Sequence, residues 1–158
     1  SVVAAKTGSR QAAQAVSIDR LLDAESQKGL DTLQPYLDFA RRTELGRETL
    51  LEFTDSVIRS GKTMDALGAS TKGNVILQYC GLDERRIGRV GEVNEAKFGC
   101  FTPGSLIPIV PEAELLAAAP DYLLVLPWHF RAFFERSPHL QGRNLVFPLP
   151  TLDVLRLT

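Results

Sequence analysis

Cysteine, methionine, tryptophan and histidine are all scarce in this chain of 158 residues, which holds two Cys, one Met, one Trp and two His. Cys80 and Cys100 are too few for a zinc cluster and show no pairing pattern of a disulfide scaffold, so a reducing cytoplasm is the default compartment. Charge of one sign is missing as well. Eighteen basic against 19 acidic residues leave a net charge of −1, and no global field recruits nucleic acid or an anionic membrane surface. No apolar run approaches the ~20 residues of a membrane span, and the first residues lack the apolar core of a signal peptide. The single methionine is Met64, so the chain does not open on an initiator, and "SVVAAKTGSR" reads as a strand cut from something larger. Repeats and low-complexity tracts are lacking too. What is present, 44% apolar and 23% charged residues, suits one soluble domain with a real core.

Turn residues and hydrophobic spacing divide the chain into elements. "VVAA" (2–5) reads as a strand and "KTGSR" as the turn after it. Ser17 is placed to cap a helix over "IDRLLDAESQKGL", with Val16 and Leu21 as its hydrophobic staple and Gly29 as its end. A longer helix is expected from about Leu33 to Ser60, capped by Thr32, with Pro35 in the first turn, Gly46 as a weak point and Gly61 as the stop. Beyond Gly61 strands alternate with short helices. "TMDAL" (63–67), "IGRVGEV" (87–93), "LIPIV" (106–110), "YLLVL" (122–126) and a last strand "NLVFPL" (144–149) are the strands. The helices between them are Lys72–Cys80, "PEAELLAAA" with proline at its first position, and "HFRAFFER". Alternation of this kind predicts an α/β fold: a Rossmann-like parallel sheet with flanking helices and right-handed crossovers, preceded by a helical arm and a remnant N-terminal strand. The parts are residues 1–10, 11–60 and 61–158.

Ligands of such sheets sit beyond the carboxyl ends of the strands, so the loops at 68–74, 92–104 and 127–131 carry the question of function. In "GASTKGN" (68–74), Gly68 permits a sharp turn, and Gly73 permits close helix packing or approach of a ligand. Ser70, Thr71 and Lys72 add hydroxyls and a cation to the free N–H groups of a helix start, which is equipment for an anion. The loop matches neither common fingerprint. G-x-G-x-x-G would need glycine at Ala66 and Thr71, and a P-loop would need Lys-Ser/Thr where Asn74-Val75 stand. A turn whose hydroxyl only caps the helix would leave the same letters. Glu92, at the end of the second strand, stands where a dinucleotide-binding domain holds a ribose hydroxyl pair, or is a solvated acid. Asn94 and Lys97 follow on that edge, and Pro103-Gly104 suits a type II turn. Trp128 is placed to stack on a base or sugar, and His129 to meet a phosphate, move a proton or simply cap a helix. His139 reads as surface. No zinc site and no nucleophile–base pair can be assembled.

Taken in order, "GASTKGN…LQYCGL", "VNEAKFGCFTPGSLIPIV" and "PDYLLVLPWHF" resemble the C-terminal domain of S-adenosylmethionine-dependent C-methyltransferases that act on nucleotide-linked deoxysugars. The resemblance covers residues 61–150, with weaker echoes in "LDAESQKGL" and "YLDFARR". It implies a transferase of deoxysugar biosynthesis in three parts: an N-terminal zinc-binding domain, a central domain holding S-adenosylmethionine, and this Rossmann-like domain. The nucleotide sugar would lie between the last two. Proton removal beside its keto group, with the enolate passed to the methyl sulfonium, would rest largely on residues outside this chain. By position, Ser70, Thr71, Lys72, Gly73 and Asn74 would line the nucleotide-sugar side of the cleft. Asn94, Lys97, Thr102, Pro103, Gly104 and Trp128 match the family's other loop positions. Ala66 departs from the family's usual glycine, and Glu92 represents an acid common near the second strand's end.

On that reading the isolated chain has no catalytic residue, metal or turnover of its own. Its partners are the sugar nucleotide and the upstream methyl-donor domain, not nucleic acid or membrane, and its helical arm would pair with that domain or with a second copy as a homo-oligomer. Two other readings stay open: a free-standing NAD(H)- or nucleotide-binding Rossmann domain, and a vestigial domain that only completes a larger fold.

Overall fold

A computed structural model describes residues 4–10 and 12–157. Two compact units divide the chain between Arg42 and Thr43.

The first unit carries helix α1 (Ala15–Gln27) and the start of α2 (Gln34–Arg59). Two caps differ from those expected. Helix α1 begins before Ser17, with Gln14 at the cap and no side-chain bond there, because the Gln14 carbonyl already accepts from the N–H of Ser17 and Ile18. Val16 and Leu21 therefore lie inside the helix, both exposed, rather than stapling its entry. Thr32 does not cap α2: its hydroxyl donates to the Gly29 carbonyl at 2.7 Å, and the Leu33 carbonyl accepts the first helical N–H groups instead. Half of the strand expected over 2–5 lies outside the described residues, and Ala4 and Ala5 belong to no strand.

In the second unit, residues 43–59 of α2 lay Leu50, Thr54 and Val57 on a six-stranded sheet. Its strands are β1 (Met64–Leu67), β2 (Val90–Glu92), β3 (Ile109–Pro111), β4 (Tyr122–Val125), β5 (Asn144–Phe147) and β6 (Asp153–Arg156). The order β3-β2-β1-β4-β5-β6 is that of a doubly wound Rossmann-like sheet. The first five strands run parallel, with Ala66 beside Val90 and Leu124.

Two expectations fail at the edges. The third strand starts at Ile109, not Leu106, because the chain first reverses: Leu106 takes a φ of 55° and its N–H donates to the Thr102 carbonyl. The strand 144–149 is also not the last. β6 adds antiparallel to β5, pairing Leu145 with Leu155, and its side chains are mostly exposed, so it lacks the apolar run that marks a buried strand.

Side chains alternating along the strands fill two cores. Ala66, Leu124 and Val146 face α2 and α3 (Thr71–Cys80). Leu67, Leu123, Val125 and Phe147 face α4 (Glu112–Ala117) and α5 (Arg131–Glu135), where Leu115 and Phe134 close over them. Each buried leucine contributes roughly 1.5–3 kcal/mol by leaving water. Leu123 and Leu124 are both fully buried on opposite faces, which is why β4 reads as an unbroken apolar run.

Candidate functional site

Strands β1 and β4 are neighbours whose chains leave in opposite directions, β1 through α3 to β2 and β4 through α5 to β5. The loops therefore part at their carboxyl ends, and a cavity of about 320 Å³ opens there.

One wall is the turn into α3. Gly68 takes a φ of +76°, and a Cβ there would lie 2.8 Å from Pro127, so the residue must be glycine both for its conformation and for its packing. At Gly73 a Cβ would come 2.5 Å from Leu126 Cβ; this glycine lets α3 close on the end of β4. Ser70 caps α3, its hydroxyl accepting from Gly73 N–H at 3.0 Å. The N–H groups of Thr71 and Lys72 have no acceptor among the described residues, as expected at a helix start. Both side chains are exposed beside them. Asn74 Oδ1 is buried with no donor among the described residues, an uncommon state for a polar atom.

Glu92 forms the back of the cavity and is fully committed to its own chain. Oε1 accepts from the N–H of Val93 (2.9 Å) and Asn94 (3.1 Å). Oε2 accepts from Ala69 N–H (3.0 Å) and from Lys97 Nζ (2.9 Å). Burial is the largest influence and pushes the carboxyl up, yet Lys97 and the two N–H groups together outweigh it and hold it below its usual range. Four donors use the acceptor capacity of a carboxylate. A ribose diol would have to displace one of them, which speaks against the dinucleotide role. Lys97 also donates to the Ala69 carbonyl at 3.0 Å, so this pair fixes the turn between β1 and α3.

The opposite wall is aromatic. Phe130 and Phe133, 58% and 66% exposed, flank the cavity with Pro127 and the buried Phe134. At the rim, His139 Nε2 lies 3.0 Å from Glu112 Oε1, so the imidazole donates to the carboxylate.

Of the residues singled out from the sequence, Ser70, Glu92 and Lys97 meet in the cavity wall. Thr71, Lys72 and Asn74 stand beside it in the first turn of α3. The others are engaged elsewhere. Asn94 Oδ1 caps the short turn 95–97 by accepting from Ala96 N–H. Thr102 is buried, with Oγ1 2.7 Å from Ser105 Oγ and accepting from Ile107 N–H. The Pro103 carbonyl accepts from Gln78 Nε2, and Gly104 packs on the same glutamine. Trp128 packs against the second core, and His129 lies between Trp128 and Phe130 with ring centroids 5.6 and 4.2 Å away. Reading along the sequence missed Phe130, Phe133, Glu112 and His139. The spacing 130, 133, 134 signals a core-facing stripe, and only Phe134 is buried as such a stripe requires.

Among the described residues no group of three or more His, Cys, Asp or Glu is placed to hold a metal ion, and both cysteines are free, so these residues do not fit a zinc site. No helix among them is long and apolar enough to cross a membrane.

The C-methyltransferase NovU of Streptomyces niveus is 34% identical over 142 residues, which are 88% of this chain and 34% of that protein. The chain thus spans about a third of the relative's length. The family of C-methyltransferase C-terminal domains matches residues 1–150. The family match along most of the chain and the identity to this relative lead to one conclusion: the chain belongs to the C-methyltransferase C-terminal domain family.

Proposed function

We propose that this chain is the substrate-side part of an S-adenosylmethionine-dependent C-methyltransferase. It holds a nucleotide-linked keto-deoxysugar while an upstream domain of the same polypeptide binds the methyl donor and carries most of the chemistry. The observation that carries the reading is the start of α3: uncommitted N–H groups of Thr71 and Lys72 beside two lysines, at the sheet's switch point. A diphosphate suits that set. Lys72 meets it as a mobile cation, Lys97 offers its remaining N–H, and Ser70 and Thr71 frame the turn. Glu92 acts on the scaffold, holding Ala69 and Lys97 in place, rather than on the ligand.

S-adenosylmethionine would supply the methyl group, and this chain's residues do not fit it, since the acid that would hold its ribose is saturated. Binding and orienting the acceptor is the work left to the chain. Family membership together with the uncommitted donors favours this over a vestigial domain. Lys72→Ala in the full-length polypeptide tests it: KM for the nucleotide sugar should rise about tenfold, with kcat little changed. Unchanged KM and kcat would favour a purely structural role.

A further inference from the structure

The turn into α3 accounts for a diphosphate but not for the cavity beside it, and the inference drawn from that cavity rests on the nucleotide-sugar reading. We propose that the cavity seats the flat base of the nucleotide, stacked on Phe130 and Phe133 with its polar edge toward Glu112.

Size and lining point the same way. About 320 Å³ is at the lower end of small-ligand sites, and such sites combine apolar and aromatic walls with a few convergent polar groups. Phe130 and Phe133 leave more than half of their surfaces open at positions where the helical spacing calls for burial. Phe133 is held in place: its ring meets buried Phe134 edge-on, with centroids 5.4 Å apart at 88°. The polar groups are few. Glu92 is saturated, and Ser70 and Lys97 sit on the α3 side with the diphosphate, which leaves Glu112 and His139 for the base. The Glu112 side chain is only 18% exposed and has a single partner among the described residues, the His139 ring, on Oε1. Its other oxygen is free to accept from a ring N–H or an amino group.

This chemistry selects among occupants. A sugar ring would bring hydroxyls around its whole rim to walls that mostly cannot bond them. An aliphatic chain would leave Glu112 facing hydrocarbon. A heteroaromatic ring offers two flat faces to the phenylalanines and one donor edge to the carboxylate. Ser70 joins the two subsites, since it lines the cavity and caps α3. One nucleoside diphosphate would therefore reach from the aromatic wall to the N–H groups of Thr71 and Lys72.

Calorimetric titration of the full-length polypeptide with nucleoside diphosphates, a nucleotide sugar and inorganic pyrophosphate tests the seat. Phe133→Ala should weaken nucleoside diphosphate binding about tenfold and leave pyrophosphate affinity unchanged. Glu112→Gln should weaken, severalfold, the bases that present an N–H edge. Because Phe133 is exposed, its variant should melt with the wild type, which separates lost binding from lost folding. Equal weakening toward pyrophosphate would overturn the seat, and so would wild-type affinity for the nucleotide in Phe130→Ala, Phe133→Ala and Glu112→Gln alike. In those cases a wild type that still binds the nucleotide sugar keeps the wider reading. If the wild type binds neither nucleoside diphosphate nor nucleotide sugar, the wider reading falls and takes the seat with it.

Discussion

At Glu92 a single side chain ties three segments together, because its four donors come from the end of β1, the end of β2 and the turn after it. Glu92→Gln keeps the shape but replaces an acceptor oxygen with an N–H donor and leaves Lys97 without its counter-charge. Lys97 is partly in water, so the expected loss is about 1–3 kcal/mol rather than the larger penalty of a wholly buried pair. The loss should depend on pH. The folded carboxyl sits below its ordinary range, so its contribution is complete above the unfolded value of about 4.3 and disappears as pH falls through the lower folded value. Urea midpoints of wild type and variant should differ at neutral pH and converge in acid; a constant difference would assign the effect to packing. Gly73 poses a simpler problem. A methyl group there meets Leu126 on the end of β4, so Gly73→Ala should cost about 1–3 kcal/mol and lower the melting temperature, although alanine is the better helix former.

Elements that carry their own signals were legible in the sequence. Ser70 and Gly81 bound α3 as their residue types suggest, with a hydroxyl cap at one end and a left-handed glycine at the other. Ser70→Ala should cost about 1 kcal/mol, read as a lowered melting temperature. β4 was legible because a parallel strand buried on both faces leaves a continuous apolar run, whereas β1 carries the buried Asp65, paired with Arg89, inside its short apolar stretch. The caps of α1 and α2 were not. Ser17 and Thr32 have the right chemistry, but backbone bonds from Gln14 and Leu33 set the starts, and nothing in a residue type records that competition. β6 escaped for a related reason. It follows the family match, which ends at residue 150, and it holds its place through backbone pairing to β5 and the burial of Leu157 just beyond it. Leu157→Ala should therefore destabilise the second unit by about 2–5 kcal/mol, measurable by urea unfolding. The aromatic wall and the His139–Glu112 pair were hidden because their partners lie far apart along the chain. Only the fold brings α4, α5 and the turn 138–140 to one edge.

On the scale of the whole molecule, the sheet order puts the switch point between β1 and β4, and the family match assigns the chain to the C-methyltransferase C-terminal domains. The chain spans about a third of the relative's length, and the proposed function assigns the complete reaction to a longer polypeptide, which is therefore the object of assay. A substrate-side role makes a specific demand: the chain's own residues should govern affinity for the acceptor and leave the methyl donor alone. The most direct measurement is transfer of labelled methyl from S-adenosylmethionine to a panel of 4-keto-sugar nucleotides by that polypeptide, with Lys72→Ala alongside. The expected result is transfer by the wild type, and a raised acceptor KM with unchanged methyl-donor affinity in the variant. Methyl-donor binding with no transfer to any nucleotide sugar, or a variant whose defect lies in methyl-donor binding, would contradict the account.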